Sequence, residues 1–192
     1  MSREPISLPG RAVIEDLAGV GPDRKPKFWD SYFTHRGALD QGMPAREYWR
    51  AIATDMGAEW DDARVHELWA ADFRSWISVN PGTIEVIADL KAGATRLAVL
   101  SNAGPDYGSY MRCGPLSYFF EAFFVSGELD MIKPDPAIFT HVLKALGVTP
   151  AEAVFIDNRA DNVRGAQSLG ITGHVFTSPA ELRSFLTGLA QA

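Results

Sequence analysis

Val154-Phe155-Ile156-Asp157-Asn158-Arg159-Ala160-Asp161-Asn162-Val163 decides the fold of this chain. Val154-Phe155-Ile156 is a short β-branched and aromatic run without alternation, which predicts a strand buried on both faces. Polar side chains cluster at its carboxyl end. Val163, Ala166 and Leu169 then recur at helical spacing, and Gly170 closes the helix. In open α/β sheets the functional crevice lies beyond the carboxyl ends of the strands. Carboxylates placed there, Asp157 and Asp161, are oxygen donors of the kind that hold a hard cation such as Mg²⁺. Taken alone they read equally as a turn residue and a helix N-terminal charge.

The pattern repeats on both sides of this stretch. Downstream, Gly173-His174-Val175-Phe176 predicts a strand. A helix follows with a capping box of Ser178 and Glu181 and with Leu182, Phe185, Leu186 and Leu189 on one face. Upstream, Asp135 and Pro136 supply an N-cap and first position for a helix whose apolar face is Ile138, Phe139, Val142, Leu143 and Leu146. Before it stand the strand-like runs Leu97-Ala98-Val99-Leu100 and Phe123-Phe124-Val125-Ser126, with a short helix around 107–111 between them. Strands alternating with helices from Asn80 onward predict an α/β fold with a doubly wound, Rossmann-like parallel sheet.

The chain before Asn80 is different. Phe28, Trp29, Tyr32 and Phe33 share a helical face, Tyr48, Trp49 and Ile52 repeat it, and Val65, Leu68, Trp69, Phe73, Trp76 and Ile77 form a third stripe. This predicts a bundle of about four short helices over residues 10–79, ahead of an α/β domain over 80–192. Aromatic stripes at this spacing are core packing. His35 and His66 have no metal-ligand partner at recognisable spacing. The segment Met1-Ser2-Arg3-Glu4-Pro5 lacks the apolar run of a signal peptide, and Pro5 and Pro9 predict an extended start.

Composition narrows the function classes. The net charge of −6 over 192 residues argues against a nucleic-acid surface. No apolar run reaches the roughly 18 residues that span a membrane. With Cys113 alone, no internal disulfide can form, which fits a reducing cytoplasm.

Three polar clusters are expected at strand ends on one edge of the sheet: Ser101-Asn102, Lys133, and Asp157-Asn158 with Asp161. A hydroxyl or amide with backbone N–H groups can hold a phosphate-like oxygen, a lysine can neutralise its charge, and a carboxylate can hold a bridging metal. In this order the three resemble the haloacid dehalogenase-like hydrolase superfamily. Leu97–Ala103 resembles its second motif, Lys133-Pro134-Asp135-Pro136-Ala137-Ile138-Phe139 its third, and Phe155 through Asn162-Val163, with Gly165-Ala166 and Leu169-Gly170-Ile171, its fourth. The helices before Asn80 resemble its cap, with the loops after Leu100 and Ile156 expected to face it. The resemblance implies a Mg²⁺-dependent phosphatase of a small metabolite, with dehalogenases as a minority class. It implies that Ser101 and Asn102 contact the phosphoryl group or another small anion, that Lys133 stabilises its charge, and that Asp157 belongs to the metal site.

Two departures set further expectations. The superfamily's first motif, a strand ending in Asp-x-Asp or Asp-x-x-Gly that carries the nucleophile, has no counterpart here. Glu15-Asp16 lies in a helical pattern and is not promoted to that role. Where many relatives have a second aspartate, this chain has Asn158, a neutral and weaker donor that weakens Mg²⁺ binding. The expected sheet therefore lacks its first central strand, whose exposed neighbours invite homo-oligomerisation. Two readings follow: a hydrolase whose nucleophile lies about 10 residues upstream of Met1, one strand length away, or a catalytically dead binding or oligomerising module.

Overall fold

The computed structural model describes residues 10–191; the expected extended start at Pro5 and Pro9 lies outside them. The chain divides into two compact units between Ser78 and Val79.

The first unit is helical: α1 (Arg11–Leu17), α2 (Lys25–Asp40), α3 (Ala45–Met56) and α4 (Asp62–Trp76). Local chemistry sets the boundaries. Asp61 caps α4 by accepting from the Arg64 N–H at 2.8 Å. Gly57 ends α3 in the left-handed region, φ 58°, where a Cβ would be strained. Phe28, Trp29 and Tyr32 of α2 pack with Tyr48, Trp49 and Ile52 of α3 and Val65 and Leu68 of α4. Tyr32 meets Tyr48 edge-on at 5.7 Å, and Tyr48 meets Trp49 at 5.3 Å. Full burial of each such side chain is worth about 1.5–3 kcal/mol.

The predicted stripe on α4 breaks after Leu68. Asp72 and Ser75 are the buried residues there, and Trp69, Phe73 and Trp76 are only partly covered. Asp72 is accommodated because Arg36 comes with it. Arg36 Nη1 donates to Asp72 Oδ2 at 3.2 Å and to the Tyr32 hydroxyl at 2.9 Å, and its Nε donates to Asp40 at 3.2 Å. Tyr32 and Trp76 both donate to Asp72 Oδ1, at 2.5 and 3.0 Å. A charge taken out of water needs this degree of pairing.

The second unit runs α5 (Pro81–Ala92), β1 (Ala98–Ser101), α6 (Pro105–Cys113), β2 (Ala122–Val125), α7 (Ser126–Leu129), α8 (Pro136–Leu146), β3 (Val154–Asp157), α9 (Ala160–Gln167), β4 (Thr172–Val175) and α10 (Pro179–Leu189). It is an α/β fold with parallel strands. Its strands form two pairs, β1 with β2 and β3 with β4, and among the described residues β1 and β3 do not pair with each other. Among the described residues β1 and β3 therefore each keep one unpaired edge. Along β3 the backbone groups alternate: Ala153 and Asp157 accept from Thr172 and Phe176 beside β4, so with Phe155 they face β4, and Val154 and Ile156 face away.

Ile138, Phe139 and Leu143 of α8 pack on Ala166 and Ile171, with Leu100 and Phe155 against them. Gly165 lets α9 approach closely: a Cβ there would stand 2.5 Å from Pro134 O and 3.1 Å from Phe139. On β4, His174 stacks on Phe185 of α10 at 4.2 Å. None of the described helices is long and apolar enough to cross a membrane.

Candidate active site

The site is built where β1 and β3 end. β1 delivers Ser101 and Asn102, and the loop beyond them is bolted down by Ser126. Its hydroxyl, fully buried, accepts from the Ala103 N–H at 3.0 Å and donates to Ala103 O at 3.3 Å. The two backbones come so close that a Cβ on Gly127 would stand 2.9 Å from Ala103 O.

Lys133 arrives from the loop between α7 and α8. Its ammonium donates to Leu100 O and to Asp157 Oδ2, each at 2.7 Å. This one ammonium therefore links Leu100 of β1 to the end of β3. The pair is buried, with 7% of the lysine and 8% of the aspartate side chain exposed.

Asp157 is held on both oxygens. Oδ1 accepts from the Arg159 N–H at 2.8 Å, a turn that tightens the exit from β3. Oδ2 accepts from Lys133 and from Asn162 Nδ2 at 3.0 Å. Asn162 lies one turn into α9 and is buried. Its Oδ1 is a buried acceptor without a donor among the described residues.

Of the residues singled out in the sequence, Ser101, Asn102, Lys133 and Asp157 come together. The Ser101 hydroxyl makes no hydrogen bond among the described residues and is free to donate. Asn158 is exposed beside them. Asp161, also exposed, is paired with Arg164. Glu15 belongs to the other unit, where its carboxylate accepts from Trp29 at 2.8 Å and pairs with Lys25 at 2.7 Å. The motif reading covers Asn162 without giving it a role, and Ser126 lies outside the motifs. The available signal was a polar residue inside an apolar helical face in one case, and at the end of a buried strand in the other.

Tested against Mg²⁺, the donor set falls short. It offers one carboxylate, already ion-paired and hydrogen-bonded, one orphan amide oxygen on Asn162 and the neutral Asn158. Among the described residues no three acidic, histidine or cysteine side chains converge. Mg²⁺ prefers carboxylates and near-octahedral oxygen geometry, and these residues alone do not provide it. What is suited to an anion is the remaining N–H of Lys133, with the Ser101 hydroxyl on the residue that follows the carbonyl this ammonium grips.

Known proteins share this arrangement of chain. A sequence model of the haloacid dehalogenase-like hydrolases matches residues 10–170. The phosphorylated carbohydrates phosphatase of Thermotoga maritima is 28% identical over 179 residues, covering 83% of this chain and 82% of that protein. The phosphoglycolate phosphatase of Pseudomonas putida is 26% identical over 188 residues, covering 87% and 69%. A Bacteroides thetaiotaomicron enzyme of the haloacid dehalogenase family, solved with magnesium and inorganic phosphate, superposes with a TM-score of 0.69 at 23% identity, covering 88% of this chain and 87% of that one. The two-unit chain with its lysine–aspartate pair at the strand ends belongs to the haloacid dehalogenase-like hydrolases.

Proposed function

We propose that the α/β unit is the core of a phosphatase acting on a small phosphorylated metabolite, with residues 10–79 as its cap, and that the chain as it stands is nearly inactive. The observation that carries this reading is the Lys133 ammonium held between the ends of β1 and β3, next to Ser101 in sequence at Leu100 and with Asp157 fully engaged beside it. Lys133 and Ser101 bind and orient an anionic oxygen and neutralise charge that builds on it. Asp157 holds the ammonium in place. A carboxylate with an ion pair on one oxygen and a backbone N–H on the other is a poor nucleophile, and loss of a nucleophile costs about 10⁶-fold in turnover in a well-studied hydrolase.

The edges of β1 and β3 that are unpaired among the described residues supply the remedy. One strand parallel to both, ending in Asp-x-Asp beside Lys133, brings a nucleophile and the further carboxylates that a Mg²⁺ site still lacks. Steady-state hydrolysis of a general phosphomonoester with Mg²⁺ compares the 192-residue chain with a version carrying such a strand ahead of it. The extended chain turns over, Lys133→Ala abolishes that turnover, and the short chain shows no more than a trace. Turnover by the short chain at about 1 per second or faster overturns the proposal and makes Asp157 or Asp161 the nucleophile. The alternative, a non-catalytic binding module, draws on the neutral, exposed Asn158; an extended chain that binds phosphate without hydrolysing a phosphomonoester establishes it.

A further inference from the structure

We infer that Asn102 is a positioning residue, which sets the Lys133 ammonium and does not lend its own side chain to the substrate. Its amide is fully used on one partner. Nδ2 donates to Lys133 O at 2.9 Å, and Oδ1 accepts from the Lys133 N–H at 3.0 Å. The side chain thus pairs with the backbone of Lys133 as a second peptide group would. The pairing also fixes which end of the amide is which, since the reverse orientation sets donor against donor.

The other end of the same lysine is held two residues upstream of Asn102, where Nζ donates to Leu100 O at 2.7 Å. The end of β1 therefore grips Lys133 at both its backbone and its tip. A lysine stem has four carbons and the rotamer freedom that goes with them, and a single contact at the tip leaves much of that freedom in place. With the backbone fixed as well, Nζ is directed at Asp157 Oδ2.

Only a carboxamide can do this. Aspartate offers two acceptors and no donor at neutral pH, and alanine offers neither. Any contact Asn102 makes with an oxyanion is left to its backbone N–H. The inference rests on the reading of Lys133 as the group that meets the substrate's anionic oxygens.

The test follows acylation of Lys133 by acetic anhydride in the full 192-residue chain, site by site by mass spectrometry. In Asn102→Ala, Lys133 labelling accelerates by at least about tenfold, as the loss of two ordinary hydrogen bonds requires, while Lys25, Lys91 and Lys144 label at native rates. Asn102→Asp, which keeps the acceptor, gives an intermediate acceleration. Unchanged labelling of Lys133 in a folded Asn102→Ala chain overturns the inference. Should that variant fail to fold, the native chain decides: slow solvent exchange of the Asn102 side-chain NH₂ supports the clamp, and exchange as fast as an exposed asparagine's overturns it. Inorganic phosphate separates the clamp from the reading beneath it. If phosphate fails to slow labelling of native Lys133 while Asn102→Ala still accelerates it, the anion-binding reading falls and the clamp stands.

Discussion

The Lys133 ammonium lies 2.7 Å from Asp157 Oδ2, and together with the Leu100 carbonyl this contact is what joins the β1 and β3 strand ends. Removal of one partner leaves the other charge buried and unpaired. Lys133→Met and Asp157→Leu should each lower unfolding free energy by about 3–5 kcal/mol, and the double variant should recover a good part of that loss. Urea unfolding of the four proteins gives the coupling directly. Additive losses would show that the pair is not energetically linked.

The Arg36–Asp72 contact in the helical unit predicts the same pattern at a different place. Arg36→Leu strands Asp72, which is 2% exposed, and should cost on the order of 3–5 kcal/mol. Replacing both by leucine should cost less than Arg36→Leu alone. Thermal melts of the single and double variants decide it.

Glu15 gives the pH dependence. Its hydrogen bond from Lys25 holds the carboxyl below the ordinary glutamate value of 4.5; partial desolvation opposes the shift, and the Trp29 indole N–H supports it. The folded state therefore binds this proton less tightly than the unfolded chain. The stabilisation is complete above the unfolded chain's titration range and is lost as pH falls through the folded value. Glu15→Gln should flatten the dependence of melting temperature on pH below about 4.5 and leave the neutral limb with its slope unchanged. An unaltered acid limb would show that Glu15 carries no such linkage.

Gly165 and Gly188 make a matched pair on two helices. Gly165→Ala forces a Cβ against the Pro134 carbonyl and should destabilise by about 1–3 kcal/mol. Gly188→Ala meets nothing within 4 Å near the end of α10 and should stabilise by about 0.4–1 kcal/mol. Denaturant midpoints of the two variants should move in opposite directions.

Mg²⁺ added to the chain as it stands should give no saturable heat by calorimetry, because Asp157 brings a single carboxylate already neutralised by Lys133. A clear one-site isotherm that vanishes in Asp157→Asn would reverse that view of the donor set.

Much of the α/β unit was legible because each of its elements carries its own signal. The β-branched run at Val154–Ile156, the Asp135-Pro136 cap and the Ser178 cap are local chemistry, and each marks an element in the structure, although the Glu181 carboxylate takes the Thr177 hydroxyl and does not close the expected box. The helical unit was legible in its aromatic faces but not in its polar centre. Nothing in the spacing around Asp72 says that Arg36, thirty-six residues earlier, will be buried against it. At the site, the motif residues could be read from type and order. The use of the Asn102 amide on the Lys133 backbone, and of Asn162 on Asp157, depends on tertiary distances that no local pattern encodes.

Alternate residues of a strand aim their amides in opposite directions, so β3 holds two populations of amide proton. In deuterated water Phe155 and Asp157, turned toward β4, should keep their protons until the unit opens. Val154 and Ile156, turned away from β4, should exchange on the timescale of a surface loop. The strand thus carries the isotopic signature of a margin, and whatever comes to lie along its second edge announces itself as a slowing at every second residue.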